Sequence, residues 1–568
     1  AAGGTLGALR DLHVETAGVF DNAGSLHGER SLALSTGALL QRGRLYSGDA
    51  LSITSQGAFD NSGQLVSGND LSITASRISS NGQLGSVNGA VALTSQGDVD
   101  LKGVVSAATT LQATAGGDLL QAGTLSAQSV TLNAGRDLSA SGTLQSASTL
   151  DMQAQRALRI SGQAQANSIA LQGGSVATGT GAVVKSVGAI TLDGAAIDSR
   201  GTLDAGSDLS LRSTGDLSVA GIAQAGRDVV LSAAGTVQNG GQVVAGRDMS
   251  VQAGRVDNTA AGALGAGGAL TVVSAGALQN DGALQSGGEL RMTAASLDQS
   301  GSAFAGNTLV ANITGTLDNR GSLTAKNALQ LDSGGLRSSG QLGSETAGVT
   351  LHSRGDLQLQ GVVAAATTLQ ATAVGDLQQA GSLKAQSVAL QAGRDLGISG
   401  TLQSASLLDL QAQRTLTFAA QGTVGGDARL RAGTLATTNA AVLQSAGAIG
   451  LDATAIDSRG KLDAAGDLRA SSQADLRLAG VAQGGRDVTL SAGGNLENAA
   501  QVFAGGDLVA QAQRIENASA GVLAAERDVA VDGTAQLVNA GRVQAGRDLQ
   551  ITPSGFEQTG SASSGAAL

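Results

Sequence analysis

The chain has no cysteine, no tryptophan, one proline and one tyrosine among 568 residues. Without cysteine, no disulfide can staple the fold, and this suits a secreted bacterial protein that does not depend on oxidative folding. With six Phe and one Tyr for the whole chain, a wide globular core is excluded. The core must be narrow and built from Val, Leu, Ile and Ala. Charge is sparse too: charged residues make up 14% and the formal net charge is −11. No basic run is present, which argues against nucleic acid and heparin-like polyanions, since phosphate and sulfate binding need clustered Lys and Arg. No apolar run is long enough for a membrane-spanning helix. The chain carries no signal-peptide pattern and begins at Ala1 without Met, so it is expected to be a piece of something longer.

What is abundant is glycine, 85 residues, within a composition that is 42% hydrophobic. That is too apolar for disorder. Glycine does not fall at every third position and proline is nearly absent, so collagen is excluded.

The organisation lies in repeats. Residues preceding a Leu-type position run Asp11, Ser31, Ala50, Asp70, Ala92, then Asp208, Asp228, Asp248, Ala269, Glu289, Thr308, Ala328, and later Asp467, Asp487, Asp507, Asp528, Asp548. The period is about 20 residues. One unit, Ala225 to Val244, shows three alternating segments between Gly-rich corners, with Val229 and Leu231, then Val237, then Val243 on the buried side. These positions form columns: Val237, Val256, Leu278, Leu297, Leu317, Leu336 in one, and Val243, Leu264, Leu284, Phe304, Leu323, Leu342 in the next. An asparagine column accompanies them at Asn22, Asn61, Asn81, then Asn239, Asn258, Asn280, Gln299, Asn319, then Asn498, Asn517, Asn539. Asn tolerates the left-handed backbone of a tight corner. Stacked, its amide can also bond the coils above and below.

Three strands per 20-residue coil, stacked in register, predict an all-β parallel β-helix of about 28 coils, a rod on the order of 135 Å long. A larger repeat is superimposed. The segment from Gln83 returns from Gln341 at an offset of 258, and "AIDSRG" at Ala196 returns at Ala455 at 259. We expect one continuous segment over 1–568. It has leading coils at 1–82, a first large copy at 83–302, intervening coils at 303–340, a second copy at 341–561 and a tail at 562–568. Between 160 and 205, and between 418 and 463, the template blurs, which predicts irregular coils or small protruding loops.

The candidates for chemistry are few. His13, His27 and His352 are far apart and have neither metal-ligand nor catalytic-triad spacing. Strand alternation predicts that His13 and His352 face outward. The Asp column lacks the Gly-Gly-x-Gly-x-Asp pattern of calcium coils, and Arg227 and Arg247 stand ready to offset its repulsion. No cofactor site is expected. Polysaccharide-cleaving β-helix enzymes need a carboxylate cluster in a groove. Here the carboxylates follow the coil template, so a non-enzymatic role is expected.

One stretch, "SRGDLQLQG" from Ser353, contains Arg354-Gly355-Asp356, the tripeptide read by integrins. Composition alone would produce it in roughly one such chain in four, so it is a weak motif by itself. The first copy reads "SQGDVDL", where Gln96, Gly97 and Asp98 correspond to Arg354, Gly355 and Asp356. Gly-Asp is therefore template, and only the Arg is particular. Function needs Arg and Asp splayed about the Gly on an exposed corner, with the Asp able to reach a receptor-bound metal.

The "AGRDL", "GxLxNxGxL" and "AIDSRG" texture at this period resembles the repeats of the filamentous haemagglutinin family of two-partner-secretion exoproteins, over essentially the whole chain. The resemblance implies a right-handed β-helical shaft on a Gram-negative surface, exported through an outer-membrane partner pore, with the secretion domain upstream. It implies either an adhesin, contacting host receptors or glycans, or the stalk of a contact-dependent toxin-delivery exoprotein. It also implies a receptor-attachment role for Arg354, Gly355 and Asp356.

Overall fold

The computed structural model describes residues 3–565. They form two compact units, residues 1–288 and 289–568, and Ala566–Leu568 of the expected tail lie outside the described residues. Both units are all-β, with no helix among the described residues. Within each unit the strands pair in parallel with strands about 20 residues away. Each is a β-solenoid whose coils carry three short strands.

The coil holding Val229–Asn239 and Gln242–Ala245 illustrates the first unit. Val229 and Leu231 register on Met249 and Val251, Val237 on Val256, and Val243 on Leu264. All four are fully buried while their neighbours alternate outward. Each such side chain contributes about 1.5–3 kcal/mol by leaving water. In the second unit the coil of Val349–Ser353, Leu357–Leu359 and Val362–Ala365 repeats the plan.

Several positions differ from the sequence expectation. Ala303, not Phe304, fills the inward third-strand position: Ala303 registers on Leu323 and is fully buried, and Phe304 faces out. A one-residue shift reverses every face of a strand, and the register set by Ser302 on Ser322 decides it. In the Asp column Ala90, not Ala92, follows Asp70, because Val91 registers on Leu71, and Ala90 N–H donates to Asp70 Oδ1 at 2.9 Å. Across 160–205 and 418–463 the coils stay regular. Ile169 registers on Ile190 and Ile190 on Leu209, with only a short turn where Ala182 N–H reaches Gly179 O. In the other copy Ala428 pairs with Ile449 and Ile449 with Leu468.

The asparagine column is a ladder inside the coil, not a set of left-handed corner residues. No non-glycine residue among those described has positive φ. Asn239 donates to Asn258 Oδ1 at 2.8 Å and Asn258 to Asn280 Oδ1 at 2.7 Å, with second bonds to the Ala263 and Ala283 carbonyls. Asn498, Asn517 and Asn539 repeat the arrangement. Asn81 stands outside it, exposed, because Ser80 holds the inward place and accepts from Asn61 at 3.0 Å.

Glycine serves close approach rather than unusual φ; among the described residues only Gly3 has positive φ, at 94°. At the second corner, a Cβ on Gly361 would overlap the Gly340 carbonyl oxygen, and one on Gly381 the Gly361 oxygen.

Candidate attachment corner

Arg354 and Gly355 form the bend between the strands Val349–Ser353 and Leu357–Leu359, and Asp356 closes it. The bend is fixed from inside. Buried Ser353 donates its hydroxyl to the Asp356 carbonyl at 2.8 Å. Arg354 N–H bonds Ser333 O at 2.9 Å, and Gly375 N–H bonds Gly355 O at 2.9 Å. The structure therefore brings the three predicted residues together on a rigid corner. The Arg354 side chain is 48% exposed and that of Asp356 55%.

Both charged groups are engaged. Arg354 Nη2 bonds Asp332 Oδ1 at 2.9 Å, in the preceding coil. Asp356 Oδ1 accepts from Asp376 N–H and from Arg394 Nη2, both at 2.9 Å. Such exposed pairs are worth ~0–1 kcal/mol each, so an incoming ligand can displace them at little cost.

The first copy shows which part is template. Asp98 accepts from Asp118 N–H and from Arg136 Nη2, both at 2.9 Å, and Ser95 donates to its carbonyl at 3.1 Å. Where the second corner has Arg354 paired with Asp332 of the coil before that copy, the first has Gln96, with Thr74 in the coil before it. Arg and its partner carboxylate thus occur together at one corner and are both absent from the other. The motif alone did not reveal Asp332 and Arg394 as neighbours; the coil period, of which they lie about one and two multiples away, and the repeated "GRD" triplet are the signals that could have found them.

The wider surface follows the same rule. Arg227 reaches back to Asp208 and Arg247 to Asp228, each with Nη2 to Oδ2 at 2.5 Å. Those arginines hold the Asp208 and Asp228 carboxyls below the usual carboxylate range, and the carboxylates raise the arginines. The other oxygen of each carboxylate, Oδ1, accepts the N–H of the next Asp, at 3.3 Å. His13 and His352 lie on outward positions. His27 stacks on Tyr46, centroids 4.9 Å apart, and meets Glu29 at 2.8 Å. Among the described residues no three His, Asp or Glu side chains are placed to hold a metal ion.

Coils of about 20 residues, a buried amide ladder, and Asp–Arg pairs on the outside define a repeat-built parallel β-solenoid. The chain belongs to the haemagglutinin repeat family, which matches residues 1–63, 31–103, 104–163, 153–221, 220–290, 285–361, 360–453, 444–500 and 498–568. No curated protein and no solved structure matches it. Haemagglutinin repeats in a β-solenoid fit an adhesin-type shaft. Proteins of this family are secreted or surface-associated adhesins of two-partner secretion, and their shafts are typically non-enzymatic. No helix among the described residues is long and apolar enough to cross a membrane.

Proposed function

We propose that this chain is a shaft segment of a secreted, surface-associated bacterial adhesin, and that it attaches to host cells through Arg354, Gly355 and Asp356. On this reading it has no catalytic role and leaves the cell through an outer-membrane transporter partner. The carrying observation is the corner itself: an Arg and an Asp, both about half exposed, flank a Gly on a bend fixed by Ser353. Family membership supports the adhesin part. Solenoid coils touch only their neighbours, so each can fold onto those already exported.

A second reading has its own support. Arg354 and Asp356 are each already paired, as Asp98 is in the first copy. The corner would then be structural and the segment a stalk, for instance one that sets the reach of a toxin-delivery protein. Adhesion of integrin-bearing cells to the wild-type chain and to Asp356→Glu separates the two. The longer side chain keeps the charge but misplaces the carboxylate, so adhesion should fall at least tenfold. Equal adhesion would leave the stalk.

A further inference from the structure

Most glycines of this chain cannot carry a side chain, but Gly335 can. A Cβ there would meet nothing nearer than the Asp356 carbonyl oxygen at 3.9 Å. Packing does not require glycine at this position. Its effect is on the surface, where it leaves a cleft of about 290 Å³ beneath the corner, lined by Thr316, Asp318, Arg337, Asp356 and Gln358.

At the position 258 residues earlier, in the coil leading into the first copy, stands Arg77. Leu336 N–H donates to the Asp356 carbonyl at 3.1 Å, and Ile78 N–H donates to the Asp98 carbonyl at 3.1 Å. The residues just before them, Gly335 and Arg77, therefore both lie directly beneath the aspartate, one coil away. Arg77 puts a long exposed side chain there. The Asp98 side chain is 47% exposed against 55% for Asp356. The two corners thus differ in two linked ways: the second has Arg at 354 for Gln at 96, and no side chain at 335 in the coil below, where Arg77 stands below the first.

We infer that Gly335 is a specificity determinant of the attachment corner: its slot admits the rim of a receptor that captures Asp356 on a bound divalent cation, and a long side chain at that place obstructs that rim. The inference rests on the attachment reading above. A carboxylate can ligate a receptor-bound metal only if that metal comes within coordination distance, about 2.0–2.6 Å from oxygen to metal, which brings the receptor's own ligands close to the corner. That demands a clear path on the side of the corner facing the cleft. Arg354 alone is then insufficient, and creating the tripeptide in the first copy does not create a site.

The test uses the whole chain and a purified integrin that reads Arg-Gly-Asp, in the presence of divalent cation. Asp356→Glu first establishes whether the corner binds at all. Gly335→Arg, which installs the residue that stands one coil below Asp98, should weaken binding at least tenfold, while Gly335→Ala leaves it unchanged. In an Asp356→Glu background, Gln96→Arg should not restore binding, whereas Gln96→Arg with Arg77→Gly should. Circular dichroism and thermal unfolding of each variant confirm that the solenoid is intact. If Asp356→Glu abolishes binding but Gly335→Arg binds as wild type, or if Gln96→Arg alone restores it, the slot is overturned and the attachment corner stands. If Asp356→Glu binds as wild type, the attachment reading fails and the slot falls with it.

Discussion

Replacing Asn517 by Ala removes one rung from the buried ladder. Asn517 is fully buried. Its amide donates to Asn539 Oδ1 at 2.8 Å and to the Arg542 carbonyl at 3.2 Å, and its oxygen accepts from Asn498 at 2.9 Å. Three bonds at about 1 kcal/mol net each give a local cost of about 3 kcal/mol. Asn517→Ser should cost about 2 kcal/mol, because a hydroxyl retains the acceptor. Ser80 and Ser338 already play that part, each taking an asparagine amide at 3.0 Å. In a solenoid the loss is local, since each coil contacts only its neighbours. Global unfolding is a poor readout, and native-state amide exchange read by peptide is the right assay. About 3 kcal/mol corresponds to exchange on the order of 100-fold faster. The effect should be confined to peptides spanning 495–545, with peptides over 237–282 as internal control. Exchange within threefold of wild type around Asn517 would refute the ladder as a source of stability.

The glycine column gives a prediction of sign. At compatible φ, Gly→Ala stabilises by about 0.4–1 kcal/mol through the unfolded chain, and neither Gly361 nor Gly335 has positive φ. Gly361→Ala should nevertheless destabilise by about 1–3 kcal/mol, because its Cβ overlaps the Gly340 carbonyl. Gly335→Ala should be neutral or stabilising; comparing the two by thermal unfolding isolates coil-to-coil approach, and equal effects would count against it. For pH, carboxyls such as Asp208, Asp228 and Asp395 are held low chiefly by bonds from Arg227, Arg247 and Arg414. A carboxylate lowered in the folded state stabilises fully above its unfolded value of about 3.9 and loses that contribution as pH falls through the lowered value. The melting temperature should therefore be level from pH 7 to pH 5 and fall below about pH 4. A decline between pH 7 and 5 would point to other groups.

The columns at Val237, Leu278 and Leu317 were legible because period-two alternation inside a 20-residue period leaves one inward choice. Phe304 was misplaced because Ala303 is also apolar, and alternation cannot choose between adjacent apolar residues; the strand pairing of Ser302 with Ser322 does. The expected loops at 160–205 did not form because Ile169, Leu171 and Val176 still fill inward positions although the "GRD" and Asn markers are missing there. At the corner, comparison of the two copies exposed Gly355 and Asp356 as template. It did not show that Arg354 leans on Asp332, 22 residues earlier, or that Arg394 reaches Asp356 across 38 residues.

Sequence by itself determined the class of fold, the coil length and the exposure of the Arg-Gly-Asp bend. These depend on local periodicity and on glycine, which the chain displays openly. Tertiary structure alone decided which way the asparagines point and which glycines are forced by packing. It alone decided what lies beneath Asp356. Those properties belong to pairs of neighbouring coils, held at strand spacing, and no single coil contains them.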